Sequence, residues 1–299
     1  MKVETCHFGD LVLYCLVLWC STASCSGIGL EFPPSARSSA LGEALVAHPK
    51  SPAEALYFNP AALANIEGKS LSAFYEDGLL DTYYSNISYG QRIKDKGLGA
   101  SLGILNGGKA IIYEFEGTEK SINSQNDTYL SLGLGKMIYH NLNIGASFKI
   151  IKSTLAEKHK ASTYAFDIGI LHQNLSEKCS LGASIRNIGE WLEYEKDKNS
   201  LPFTVQIGGG LDLMLVSNLP LELMYSVSKT RKNNMSLSLG AEYYPFSSLA
   251  LRLGYKNNYE NQGLSLGFGI IYNKINLDYA YVPIKDLDSS HRLSLGIRF

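Results

Sequence analysis

The chain ends in His291-Arg-Leu-Ser-Leu-Gly-Ile-Arg-Phe299, a stretch in which apolar and polar residues alternate. Leu293, Leu295, Ile297 and Phe299 occupy every second position, with small or charged residues between them. A period of two places the apolar set on one face of a β-strand. A half-buried strand can also end a soluble sandwich. A terminal strand that stops at an aromatic residue is more typical of an outer-membrane β-barrel.

The same alternation recurs from Lys69 to the end of the chain, in segments separated by polar turns. In 97–105, for example, leucine, isoleucine and alanine alternate with glycine and serine. The segments are about ten residues long, the span of a tilted membrane strand, whereas strands of soluble sandwiches are usually about five or six residues long. The length therefore favours an all-β transmembrane barrel.

The number of strands follows from parity. Counting every candidate gives fifteen alternating segments, of which 109–117 is the weakest. A single-chain bacterial barrel has an even number of strands, so we predict that 109–117 belongs to an outer loop. The prediction is a 14-stranded antiparallel barrel over residues 69–299. Its strands are 69–76, 81–92, 97–106, 124–138, 142–155, 161–173, 179–189, 203–216, 220–229, 235–244, 249–257, 262–272, 275–283 and 291–299.

Residues 1–26 are similar to a signal peptide, because an apolar core at 11–20 is followed by small residues. We therefore expect export. Cys25 lies in a sequence similar to a lipoprotein box, which leaves lipidation open. Four of the five cysteines lie in this leader, and Cys179 is the fifth. No disulfide framework or metal-ligand spacing is present, so we expect no cofactor and no metal.

Composition and motifs argue against several classes of function. The net charge of −1 offers no basic field for nucleic acid. The glycine-rich stretches 132–136 and 208–210 are not followed by a helix, as a phosphate loop requires. The six histidines are scattered singly, and no Gly-x-Ser-x-Gly motif occurs. We expect that the protein is not an enzyme.

Residues 27–68 do not alternate and contain short helix-like pieces at 38–46 and 52–56. They could form a periplasmic extension or a plug, and the small residues on the predicted inner face leave room for a plug. Pro60 biases Asn59 away from helix and marks a rigid turn. That turn could seat the plug or shape a gate. The plug or gate candidates are Tyr57, Phe58, Asn59, Pro60, Ala61 and Leu63.

Charged residues also occur on the predicted inner face of the barrel. They could pair with one another and anchor the plug, or they could bind a ligand. These lumen charges are Lys149, Asp167, Arg186, Arg252, Asp278 and Arg298.

Several stretches resemble the PorV/PorQ family of outer-membrane proteins, which is related to the long-chain fatty-acid transporter FadL. They are 36–47, 54–64, 184–189, 240–246, 251–255 and 277–283. The resemblance implies a fourteen-strand barrel with the N-terminal segment folded into the lumen, in agreement with the strand count.

The resemblance implies two functions. The first is passive uptake of small hydrophobic molecules such as long-chain fatty acids through the outer membrane. The alternative is a protein-interaction role in secretion or surface attachment, and most of the predicted outer loops are short, which keeps this alternative open. The expected partners are outer-membrane lipid, the barrel-assembly machinery, and an apolar ligand or secretion-system proteins. We expect no nucleic acid.

Overall fold

The computed structural model describes residues 28–78, 81–113, 119–175, 178–195, 197–213, 219–231, 233–259, 262–283 and 289–299. The predicted signal peptide, residues 1–26, lies outside the described residues. No helix in these described ranges has the length and apolar character needed to cross a membrane.

Two short helices precede the strands, α1 (Ala36–Ala40) and α2 (Pro52–Phe58), together with 3-10 turns at Ile28–Leu30 and Pro60–Asn65. The strands are β1 (Lys69–Asp77), β2 (Thr82–Ile93), β3 (Lys96–Gly107), β4 (Lys109–Tyr113), β5 (Glu119–Asn123), β6 (Gln125–Tyr139), β7 (Leu142–Leu155), β8 (His159–Leu175), β9 (Cys179–Gly189), β10 (Leu192–Tyr194), β11 (Asp197–Asn199), β12 (Thr204–Asp212), β13 (Leu221–Thr230), β14 (Met235–Phe246), β15 (Leu249–Tyr259), β16 (Gln262–Tyr272), β17 (Ile275–Val282) and β18 (Ser290–Arg298).

Fourteen of these strands form one closed antiparallel barrel, in the order β1-β18-β17-β16-β15-β14-β13-β12-β9-β8-β7-β6-β3-β2. The terminal strand closes it, since Ser70 pairs with Arg298 and Asp77 with His291. The backbone N–H of Lys69 donates to the carbonyl oxygen of Phe299 at 3.0 Å, and Phe299 returns a bond at 2.9 Å. The predicted fold class is therefore confirmed, including the strand count.

The alternation in sequence becomes the two faces of the wall. In β15, Leu251 and Leu253 are 43% and 47% exposed on the outer face, whereas Arg252 between them is 6% exposed and faces inward. The same arrangement holds along β18, where Leu293 and Leu295 face outward and Ser294 is buried. An apolar outer band is what a bilayer requires of a barrel.

The two longest predicted loops contain structure of their own. Strands β4 and β5 pair as a separate two-stranded sheet, so the described part of 109–117, residues 109–113, lies outside the barrel wall as predicted, but it is extended rather than irregular. Strands β10 and β11 form a second such hairpin within 190–202. Both hairpins lie in the two longest connections, at the same end of the barrel, and the long loops of an outer-membrane barrel are extracellular.

The N-terminal segment, residues 28–66, is enclosed by the barrel. Its backbone meets opposite parts of the wall: the N–H of Ala36 donates to Ser294 Oγ in β18 at 2.7 Å, and Ser184 Oγ in β9 donates to the carbonyl oxygen of Phe58 at 2.6 Å. Most side chains from Ala36 to Ala64 are buried.

Glycines in the wall permit this close approach. A Cβ at Gly145 would lie 2.3 Å from the carbonyl carbon of Pro60, and one at Gly97 would lie 1.7 Å from the carbonyl oxygen of Leu63. Both contacts are with backbone, which cannot move aside as a side chain can. The small inward residues of β3 and β7 are therefore what lets the segment lie against the wall.

Candidate functional site

The turn at Asn59 and Pro60 joins two short helical elements. Helix α2 begins after Ser51, whose side chain accepts a hydrogen bond from the N–H of Glu54 at 3.2 Å. It ends at Phe58, and the side-chain oxygen of the next residue, Asn59, accepts from the N–H of Ala61 at 3.1 Å and so caps the following 3-10 turn. Pro60 stands at the first position of that turn, where no N–H is needed.

The Asn59 side chain also joins the segment to the wall. Asn59 is fully buried, and its Nδ2 donates to the carbonyl oxygens of Val46 and Ile170, each at 2.9 Å. A Cβ at Gly169 would lie 2.1 Å from Asn59 Oδ1. Asn59 therefore connects the part of the segment around Val46 and its own turn to β8. Its side chain fits there because the neighbouring wall residue, Gly169, has no Cβ.

The remaining plug candidates pack in two groups. Ala61 and Leu63 belong to a buried cluster with Leu171 of the wall. Tyr57 and Phe58 belong to a second cluster, with their ring centroids 4.7 Å apart in an edge-to-face arrangement. The structure thus places all six candidates in the lumen within one continuous stretch.

Buried charges fasten the segment to the β13–β17 side of the barrel. Arg37 of α1 lies 2.7 Å from Glu242 and 3.0 Å from Glu54. Glu242 also pairs with Arg252 at 2.7 Å and with Lys50 at 3.2 Å. We call Arg37, Lys50, Glu54, Glu242 and Arg252 the anchor cluster. It satisfies the general requirement that buried charges be paired.

The predicted lumen charges fall into separate groups. Arg252, a member of the anchor cluster, also pairs with Asp278 at 2.8 Å, and Lys149 pairs with Asp167 at 2.7 Å elsewhere in the lumen. Arg186 donates to the carbonyl oxygen of Tyr57 at 2.8 Å and lies 4.7 Å from the centre of its ring. Arg298 differs, because it is exposed at the periplasmic rim.

Other charged residues were missed by the sequence analysis. Arg37, Lys50, Glu54 and Glu242 form most of the anchor cluster. Two further pairs were also missed: Lys256 of the wall with Glu43 of the segment at 2.7 Å, and Arg292 with Glu76, both of the wall, at 2.8 Å. The alternation within the strands could have found two of these residues. Glu242 follows the small residues Ser238 and Gly240 at every second position, and Arg292 lies two positions before Ser294.

Two titratable residues of the segment face the periplasmic half of the lumen. His48 Nε2 lies 2.7 Å from Ser180 Oγ, and burial lowers the pKa of His48 to about 4. Burial alone would lower the pKa of Lys50, but Glu242 and Glu222 raise it above its usual value. At neutral pH the segment therefore holds a neutral His48 and a charged Lys50.

We expect acid to loosen the segment through His48. Because the pKa of His48 is lower in the folded state than the ordinary value of about 6.5, protonation favours release. The contribution is fully present above about pH 6.5 and is lost as the pH falls towards 4. The thermal midpoint of the purified barrel should therefore fall over this range. The fall should be smaller in His48→Gln, and an equal fall in both proteins would contradict the assignment.

Cavities around the segment have charged residues in their lining on the periplasmic side and are very small on the other. One of about 180 Å³ is lined by residues of the anchor cluster, and another of about 280 Å³ lies at the periplasmic mouth beside His48 and Arg298. Two cavities towards the extracellular side measure about 30 Å³ and 10 Å³, which is about the size of a water molecule. Residues of the segment line all four.

The described residues contain no group of three or more His, Cys, Asp or Glu side chains that could hold a metal ion. Among the described residues, the contacts between the segment and the wall are ion pairs, hydrogen bonds and apolar packing.

A family model described as "Type IX secretion system membrane protein PorP/SprF" matches residues 55–297. The chain belongs to the PorP/SprF family. The PorV/PorQ assignment that the sequence analysis made is not confirmed, although the secretion-related character of the resemblance agrees with the family description. No curated protein sequence matches the chain.

Two solved structures share the fold of this PorP/SprF member. The Pseudomonas putida toluene transporter TodX superposes with a TM-score of 0.67 and 14% identity, covering 89% of this chain and 98% of TodX. A FadL homologue of Pseudomonas aeruginosa gives a TM-score of 0.60 and 12% identity, covering 88% of this chain and 97% of the homologue. The closed barrel and the family together place the protein in the outer membrane.

Proposed function

We propose that this PorP/SprF protein serves type IX secretion as an outer-membrane barrel that binds protein partners, with its lumen closed by residues 28–66. The single observation that carries the proposal is the filled lumen. A segment with buried side chains is fastened to the wall by the anchor cluster and by Asn59. In this role Tyr57, Phe58, Asn59, Pro60, Ala61 and Leu63 form a plug.

The electrostatics of the lumen argue against a path for an apolar solute through the closed barrel. The two larger cavities that the segment itself lines contain arginine, lysine and carboxylate side chains. Moving an apolar molecule past paired charges would require the segment to leave its seat. The proposed role uses the outer surfaces of the barrel and involves no enzymatic step.

A second function, passive uptake of small hydrophobic molecules such as long-chain fatty acids, is supported by the fold shared with the toluene transporter and the FadL homologue. It requires displacement of the plug, whereas the secretion role does not.

The test uses the native bacterium with the gene deleted and then restored. We expect deletion to lower the amount of one or more exported proteins at the cell surface or in the medium, measured by mass spectrometry. Uptake of a radiolabelled long-chain fatty acid should stay unchanged. Normal export combined with reduced uptake would overturn the proposal in favour of the second function.

A further inference from the structure

The hairpin β10–β11 has one buried side and one exposed side. Leu192 is fully buried, and Tyr194 and the following Leu201 are 5% and 2% exposed. The neighbouring Trp191 is 52% exposed, and Glu193 forms an exposed ion pair with Lys198. A two-stranded hairpin is at best marginally stable in water alone, so contacts below it must hold it in place.

The surface beneath the hairpin is apolar and belongs to the lumen. Leu192, Tyr194 and Leu201 share one buried cluster with residues of β2, β3, β6, β7 and β8: Tyr84, Leu105, Tyr129, Ile151, Ala161 and Ala165. Leu201 also lies beside Gly189, where a Cβ would come within 2.9 Å of its Cδ1. The hairpin contacts β8 and therefore covers one side of the extracellular mouth.

A buried polar group connects this hairpin to the wall. Asn187, in β9, donates from Nδ2 to the carbonyl oxygen of Pro202 at 3.0 Å. Lys149 Nζ donates to Asn187 Oδ1 at 2.8 Å and pairs with Asp167 at 2.7 Å. Asp167 in turn accepts from the backbone N–H of Asn187 at 2.7 Å. The loop end at Pro202 is thus joined to a charge pair inside the lumen.

The backbone at Asn187 explains how its side chain reaches that position. Asn187 has a φ of 58°, in the left-handed region, and the pairing of β8 with β9 shifts register between Phe166 and Ile168. Such a bulge inserts an extra residue and redirects its side chain. Asparagine tolerates this conformation better than most residues, and glycine adopts it freely.

We propose that β10–β11 is a latched lid over an apolar surface at the extracellular mouth, and that Asn187, Lys149 and Asp167 are the latch. In the closed state the lid's own Leu192 and Tyr194 occupy that surface. Release exposes it to aliphatic or aromatic side chains presented from outside the cell. Lys149 and Asp167 then act as positioning residues for the lid. The proposal does not rest on the secretion role.

The test measures access to the buried side of the lid. Leu192→Cys is introduced with Cys179→Ser, and intact cells are treated with a membrane-impermeant maleimide. Asn187→Gly removes the two side-chain hydrogen bonds but suits the left-handed backbone. We expect it to speed labelling at position 192 about ten-fold, equivalent to ~1.4 kcal/mol.

Two controls make the result specific. Trp191→Cys, on the exposed side, should label rapidly whether or not Asn187 is replaced. Asn141→Gly makes the same substitution at another left-handed asparagine, in a periplasmic turn, and should leave labelling at 192 slow. If Leu192→Cys labels as fast as Trp191→Cys with the latch intact, the lid is not closed. If Asn187→Gly leaves the slow rate unchanged in a heat-modifiable, folded barrel, the latch is overturned.

Discussion

Replacement of Glu242 with glutamine is expected to free α1 from the barrel wall and to let small ions pass. Glu242 is 1% exposed and accepts charge-assisted bonds from Arg37 and Arg252, with Lys50 at 3.2 Å. A neutral side chain leaves these cations close together in a buried site. Removing one partner of a buried ion pair costs about 3–5 kcal/mol, so the segment should leave its seat for an appreciable fraction of the time.

The measurement is the conductance of single barrels in planar bilayers, with heat-modifiable gel migration as the check on folding. Glu222→Gln is the matched control, because Glu222 pairs with the more exposed Lys50 at 2.8 Å and lies outside the buried centre of the cluster. It should conduct as the unaltered protein does. Equal conductance in a folded Glu242→Gln barrel would show that the anchor cluster is not what keeps the N-terminal segment in the lumen.

The wall of the barrel could be predicted from sequence because each strand, and the face that it turns to the membrane, is indicated by the alternation of residues within that strand. The alternation in 291–299 fixes both the strand and its outer face, and the same rule applies to every barrel strand. The predicted strands overlap the observed ones and differ mostly by a few residues at their ends; the predicted end of 203–216 lies outside the described residues. The hairpin β4–β5 was not predicted, because parity removed 109–117 from the wall without showing that it would pair with 119–123.

The anchor cluster could be predicted only in part, because its partners are far apart in sequence. Arg37 and Glu242 are separated by 205 positions, and the sequence around one of them does not indicate that it contacts the other. The alternation within β14 gives the face on which Glu242 lies but not the residue that it contacts. Parity also placed Arg298 among the lumen charges, yet its position at the last pair of β1 and β18 puts it at the rim.

Similar reasoning applies to Lys149 and Asp167. Both were predicted to face the lumen, and they do. Their connection to the extracellular hairpin runs through Asn187, whose position depends on a bulge between β8 and β9 that the local sequence does not reveal. In the register of β7 and β8, Ser147 lies directly opposite Asp167, and Lys149 is the diagonal neighbour of Asp167. A long lysine side chain can reach that diagonal neighbour.

Deletion of residues 36–64 is expected to convert the closed barrel into a conducting one. The wall does not depend on the segment for closure, because β1 and β18 pair through their own backbones. Without the segment, the glycine positions that now contact Pro60 and Leu63 would line open space. Arg252 would keep Glu242 and Asp278 as partners, so its charge would remain paired in the emptied lumen. The conductance should therefore exceed that of Glu242→Gln, in which the segment remains tethered.

Deletion of residues 110–122 is the matched control for this experiment. It removes most of hairpin β4–β5, whose strands pair with each other outside the barrel wall, and should leave the conductance at the unaltered level. The hairpin β10–β11 contacts β8 and covers one side of the mouth, so it should not seal a lumen from which residues 36–64 have been removed. A folded barrel that lacks 36–64 and still does not conduct would show that closure lies at the extracellular mouth rather than in the N-terminal segment.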